Sequence, residues 1–528
     1  MKRLLPLVIY LIIAKAVLSY ADVIYVSGDV SGTWSVDTVL VDGEIRVPPG
    51  ETLVIDPGVK VLFLEFYRFI VDNNATLIAA GTETDSILFD EYTPGVNWNS
   101  LHFINASSSC TLEYCHLTHG QTVEDYLDAY GGAIYCSQSS PTIQNCLIDA
   151  CHAYYKGGGI ACMDYSSPVI NCNMINGNHA ENDGGGIYCE TLSNPTISDN
   201  TISDNSANDG AGIYLTNNSS PNISGNTIQG NVAGTSGGGI LCHSGTHPFI
   251  SENIISGNFA NNGHGGGVFL LSSPNLFELN EISGNFAAMW GGGVCIQSTS
   301  FIMNKITIVA NEAATGGGLY SDNANPVLVN CIIWGNTPEQ VVEVFGATVT
   351  MTYSDCQDGW SGTGNIDDNP SFVNFSQGDY HLQGNSPCID TGDPDPMYDD
   401  PDGTRADMGC YYYHQGTAVD PREEYLLNEW ALPSCFPNPF NPTTTISFDL
   451  PVAGPVKLDV FDISGCAVLV GARHASPLSG SGAIPTTGFY SAGTHQITFD
   501  GTGLPSGIYI YRLTAGDFTG TRKMVLMK

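Results

Sequence analysis

Asp183-Gly184-Gly185-Gly186-Ile187-Tyr188-Cys189 returns one period later as Asp209-Gly210-Ala211-Gly212-Ile213-Tyr214-Leu215. Between the two copies lie Pro195-Thr196-Ile197-Ser198, Asn200-Thr201-Ile202 and Asn205-Ser206-Ala207. Runs of two to five residues, each closed by Gly, Asn or Ser, cannot support a helix and read as short strands. A unit this small cannot bury its own apolar face. Stacking copies one strand spacing apart buries it and pairs each backbone group with the copies above and below, which makes a parallel β-helix.

Outward from this stretch the pattern holds. Gly-rich triplets recur eight times, from Gly131-Gly132-Ala133 to Gly316-Gly317-Gly318, with their third residues 25 to 28 apart. Pro141, Pro168, Pro195, Pro221, Pro248, Pro274 and Pro326 keep the same period. So does an N-x-A element, as in Asn178-His179-Ala180 and Asn231-Val232-Ala233. The i, i+2 pairs Ile160/Cys162, Ile187/Cys189, Ile213/Leu215 and Ile240/Cys242 share one side, assigned inward. Cys exchanges there with Leu, as a small buried hydrophobe does. Cys136, Cys162, Cys189 and Cys242 are thus expected to be buried thiols without bridges. The Asn column is expected to stack amide on amide. No CxxC pair occurs, which removes the zinc-ribbon and thioredoxin-like readings.

The chain has 528 residues, 16 Lys plus Arg against 53 Asp plus Glu, and a formal charge of −37. That balance argues against nucleic acid, anionic lipid and polyanionic sugars as partners. Hydrophobic residues make up 42%, so this is no disordered acidic tail. Residues 1–21 read as a signal peptide: Lys2 and Arg3, an apolar run from Leu4 to Ala14, and Ser19-Tyr20-Ala21 before a cut at Asp22. No later segment approaches a membrane span, so the mature chain is expected to be soluble and exported.

The repeats and their flanks, Ser31-Gly32-Thr33-Trp34 and Ile55-Asp56-Pro57-Gly58 before and Ser386-Pro387-Cys388-Ile389-Asp390 after, resemble right-handed parallel β-helix proteins of the pectate-lyase-like class. The resemblance implies a β-helix over 22–413, clearest over 131–340 and closed by 366–413. At about 27 residues per coil that would be about 14 coils, ~65–70 Å long. Composition then changes. Residues 414–434 read as a linker, and 435–528 as short alternating strands of an Ig-like β-sandwich. Through Pro437-Asn438-Pro439, Asp462 to Gly465, Leu504-Pro505-Ser506-Gly507-Ile508-Tyr509, and Lys523 to Lys528, this module is similar to the type IX secretion (type A) sorting domain and to the flagellar hook-capping (FlgD-like) Ig domain. Cys466 and the long 471–489 insertion depart from that pattern. The resemblance implies type IX secretion machinery as a partner, and a passenger secreted or attached to the outer cell surface.

For chemistry, the residue before each Gly triplet forms a column: Lys156, Asp183, Asp209, Ser236, His264, Trp290 and Thr315. Equivalent residues on successive coils stand ~4.8 Å apart. Asp183 and Asp209 would then be adjacent carboxylates, suited to calcium or to glycosidase catalysis with His264, while Trp290 and Lys156 would bind a sugar. Asp before Gly is also ordinary turn chemistry. The loop with Asp399, Asp400 and Asp402 is a second calcium candidate, opposed by a solvated loop in which Arg405 pairs with a neighbour. Related lyases use an Arg or Lys base, yet between 69 and 404 the only Lys or Arg residues are Lys156 and Lys305. The leading expectation is therefore a non-catalytic, secreted or surface-displayed β-helix that binds a glycan or another surface or builds an envelope layer, with no cofactor beyond calcium. The alternatives are a carbohydrate-active enzyme, lyase or glycosidase, and a plain stalk.

Overall fold

Each period closes one turn of a parallel β-solenoid in the computed structural model. It describes residues 22–124, 129–243, 245–272 and 276–415, and, toward the C-terminus, 443–450, 454–462, 473–474, 487–490, 493–502, 504, 507–515 and 518–526. The signal peptide, most of the 414–434 linker, Pro274, Pro437 to Pro439, Cys466 and most of the 471–489 insertion lie outside the described residues.

Within one turn, Ile187–Cys189 is followed by Thr196–Ser198, Thr201–Ser203 and the two-residue Ser206–Ala207. Each pairs in parallel with its equivalent on the next turn: Ile187 with Ile213, Thr196 with Asn222, Thr201 with Thr227, Ser206 with Val232. The middle residues Ile197, Ile202 and Ala207 point inward, as do Ile187 and Cys189 at the ends of their strand. The equivalents of Ile187, Cys189, Ile197 and Ile202 stack into one continuous apolar core from Val30 to Cys356, and those of Ala207 into small clusters of their own.

Three ladders of polar side chains make the corners. Asn178, Asn205, Asn231, Asn258 and Asn285 form the expected column, each amide donating to the next side-chain oxygen at 2.9–3.0 Å. A second Asn column, Asn173 to Asn280, turns the preceding corner. At the Ser-Pro corner the backbone N–H of Ser139, Ser166 and Ser193 each donates at 3.1 Å to the serine hydroxyl one turn on. Cysteine takes the Asn positions at the early turns: the Cys146 and Cys151 N–H groups donate to Asn173 and Asn178. The described cysteines are all free thiols, and Cys136, Cys162, Cys189 and Cys242 are buried in the core as expected.

The glycine triplet is demanded by close approach. A Cβ on Gly185 would stand 2.5 Å from the Ser206 carbonyl oxygen and 2.6 Å from that of Ala211. Gly184, at φ +68°, folds the chain over the outward Tyr188, whose Cβ would lie 2.8 Å from any side chain there.

The turn count corrects the sequence expectation. The ladder from Gly32–Trp34 to Thr350–Thr352 holds 13 strands, hence about 12 turns rather than about 14. At ~4.8 Å per step its length is ~58 Å. The shortfall arises because 366–413 adds no coils. Phe372–Asn374 pairs antiparallel with Asp379–Leu382, and the segment packs Phe372, Tyr380, Leu382 and Met408 against Val309 and Ile332 on the solenoid flank. The Gly409 N–H donates to the Asn330 carbonyl at 2.8 Å, and the Tyr411 hydroxyl to Glu281 at 2.7 Å.

This closing segment carries a pH dependence. Asp355 is fully buried and accepts the Cys388 thiol hydrogen at 3.2 Å; burial pushes its carboxyl up to about 7. Burial likewise pushes Asp407 up to about 6. An unfolded Asp titrates near ~3.9, so between ~4 and 7 the native state holds protons that the unfolded state releases, and stability falls as pH rises. Buried His102, lowered to about 3, works the other way below ~6.5, so the contribution of Asp355 is read by comparing its variant with the wild type across pH. Asp355→Asn should raise the pH 8 midpoint and flatten the profile. A variant with the wild-type pH profile would show that Asp355 titrates unperturbed.

Residues 415–528 form a separate compact unit. Thr443–Leu450, Gly493–Asp500 and Arg473–His474 make one antiparallel sheet. Thr487–Tyr490, Gly454–Asp462, Gly507–Ala515 and Phe518–Leu526 make another. Ile446, Phe448, Ile497, Tyr511, Leu513 and Met524 from the two sheets share a core. Among the described residues no helix is long and apolar enough to cross a membrane.

Candidate functional site

Residues before the triplets pair from turn to turn at several steps, so the expected column forms. Lys156 bridges Asp183, Asp183 bridges Asp209, and His264 bridges Trp290 on adjacent turns. Lys156 Nζ stands 3.5 Å from Asp183 and 3.6 Å from Glu190, and donates to the Tyr188 hydroxyl at 2.7 Å. That hydroxyl donates in turn to Glu190 at 2.5 Å. Asp209 accepts the Ser236 N–H at 2.9 Å. Burial raises the Asp183 carboxyl above the usual range; Lys156 opposes the rise and Asp209 adds to it. Burial also raises Asp209, against the Ser236 hydrogen bond.

The aromatic half of the column is separate. His264 stacks on Trp290 with centroids 4.2 Å apart, and Trp290 on Tyr320 at 5.1 Å. Burial lowers the His264 pKa, so the ring is neutral at pH 7, and among the described residues its Nδ1 has no hydrogen-bond partner. Three turns separate Asp183 from His264, ~14 Å along the axis. The column therefore brings Lys156, Asp183 and Asp209 together and groups His264 with Trp290, but it does not bring His264 to the carboxylates. Tyr188, Glu190 and Tyr320 were missed in the sequence. They sit five or seven residues beyond a column member, an offset that becomes visible only once the triplet is known to fold over its own strand.

In the acidic loop, Asp400 is buried and ion-paired with Lys305, and its other oxygen accepts the Asp407 N–H at 2.7 Å. Asp402 accepts the Thr404 N–H and hydroxyl at 3.1 and 2.7 Å, while Asp399 is exposed. Arg405 Nε donates to the Gly392 carbonyl at 2.7 Å, and its guanidinium lies 5.8 Å from the Tyr353 ring centroid. Lys156 and Lys305, singled out by scarcity, each neutralise acids that the fold has partly or wholly buried.

Residues 95–255 and 232–357 match the family described as right handed beta helix region. Residues 434–527 match the secretion system C-terminal sorting domain. No curated protein and no solved structure matches the chain. The chain is thus an exported protein, secreted or held at the cell surface, in which right-handed β-helix repeats precede a sorting domain handled by type IX secretion machinery.

Proposed function

We propose that the β-helix is a non-catalytic binding or envelope-layer element at the cell surface, with an uncharged glycan as its ligand. The observation that carries this reading is the state of the Lys156–Asp183–Asp209 column. Its charged groups already serve one another and the backbone, as groups of a rigid binding surface do. The chain's charge of −37 turns the choice toward uncharged polysaccharide. Trp290 and Lys156 are the contacts we assign to the ligand, and calcium at Asp183 and Asp209 would serve as a bridging ion, whereas in the loop with Asp399 and Asp402 both Asp400 oxygens are already taken by Lys305 and the Asp407 N–H. The sorting unit has an Ig-like sandwich arrangement in this reading, and is cut from the passenger within 414–434.

One observation favours a second reading, a glycosidase or lyase: Asp183 and Asp209 are neighbouring carboxyls, both pushed toward the protonated form by burial. A glycan array with the full chain, followed by product analysis on each bound polysaccharide, separates the two. Binding that leaves the polysaccharide intact supports the first. Release of reducing or unsaturated ends, lost in Asp183→Asn, establishes the second.

A further inference from the structure

The N-x-A stubs present one outward side chain per turn, and on two successive turns it is histidine. His152 pairs in register with His179, while Ala153 and Ala180 fill the interior beneath them. Glu181, two residues past His179, points to the same side. One Glu181 oxygen lies 3.2 Å from His152 Nε2 and 3.7 Å from His179 Nε2, and the three ligand atoms all lie within 4.8 Å of one another. The rings stack with centroids 5.1 Å apart. Each is held from behind by the same column: His179 Nδ1 lies 2.8 Å from the Ser206 hydroxyl on the turn above, and His152 Nδ1 lies 3.4 Å from the Gln121 amide on the turn below.

We infer that His152 Nε2, His179 Nε2 and the Glu181 carboxylate form a site for a first-row divalent transition-metal ion, zinc in particular. Zinc bonds of about 2.0–2.2 Å in tetrahedral geometry set ligand atoms about 3.2–3.6 Å apart, close to the two spacings found around Glu181. Two imidazoles with one carboxylate suit zinc and its neighbours, whereas calcium takes oxygen ligands. The Nδ1 contacts are the outer supports that metal-bound imidazoles use. Ser206 accepts from Nδ1–H directly, and Gln121 does so once its amide and that of Asn97, which donates to it, are both turned over. The histidines lie on neighbouring coils, so solenoid stacking itself sets their separation. Further along the column stand Ser206, Val232 and Phe259, which limits the site to one ion. The His179 and Glu181 side chains are 45% and 54% exposed, leaving a fourth position open to water or to a ligand from outside.

The test uses the full chain stripped with a chelator, titrated with Zn2+ alone by calorimetry and with Co2+ alone by visible absorption. One saturable ion per chain is expected, with the d–d bands of a low-coordinate Co2+ centre. His152→Ala and His179→Ala should each weaken binding by more than the ~10–100-fold that loss of an outer-shell partner costs. Ser206→Ala should weaken it about tenfold with the stoichiometry kept. Circular dichroism matching wild type shows that the variants fold, as their outward positions lead one to expect. Absence of saturation in the wild type overturns the assignment. So does equal affinity in wild type and the His152→Ala/His179→Ala double variant. A loss in Asp183→Asn as large as that in His179→Ala would put the ion on the carboxylate column and likewise overturn it.

Discussion

Asn205→Ala is expected to destabilise the solenoid by about 3–5 kcal/mol, several times the cost of an average substitution. The Asn205 amide donates to the Ile175 carbonyl at 2.9 Å and to Asn231 Oδ1 at 3.0 Å. Its oxygen accepts the Asn178 N–H at 2.9 Å and the Asn178 amide at 3.0 Å. All of this is buried, so alanine removes four hydrogen bonds and admits no water to replace them. Each buried polar group left short of a partner costs about 1–3 kcal/mol. The effect is magnified by position, because each turn is supported only by its two neighbours and Asn205 sits mid-array. Asn208→Ala, three residues away and exposed, should change stability by less than about 0.5 kcal/mol. Urea midpoints of the two variants make the comparison. A loss below about 1 kcal/mol in Asn205→Ala would mean that the amide column is ornamental and that the apolar core alone holds the turns together.

Deleting residues 435–528 should abolish delivery to the surface while leaving the β-helix folded. The match to the sorting domain spans 434–527, and the strands described there close a core of their own from Ile446 to Leu526. The solenoid has its own core, running from Val30 to Cys356. Loss of the tail therefore removes the address without exposing the passenger's interior. In the native host the truncated chain should accumulate in the periplasm, with surface and medium fractions near zero, and should melt as the full chain's β-helix does. Appearance of the truncated protein at the cell surface would reduce the module to a spacer. Mass spectrometry of the wild-type surface form should find its C-terminus within 414–434.

Much of this molecule follows from the period alone. A repeat of 25 to 28 residues with Gly, Asn and Ser-Pro corners leaves stacking as the way to bury Ile187, Ile197 and Ile202, so the fold, the Asn column and the inward cysteines were readable. The column before the triplets was readable for the same reason: equivalent residues on successive turns must be neighbours. Contacts that break the period were not. Lys305 meets Asp400 across 95 residues of chain, and the closing segment lies along the flank where coils were expected. Nothing periodic specifies where a non-repeating segment docks; side-chain fit against Val309 and Ile332 decides it. The offset between columns was equally hidden. That Glu190 reaches Lys156, or that Glu181 reaches the two histidines, depends on how far each corner swings the chain before the next strand begins. The sequence determined which residues share a column, because translation by one turn is built into the repeat. Only the tertiary structure decided which columns meet, because that depends on corner geometry and on the packing of segments outside the repeat.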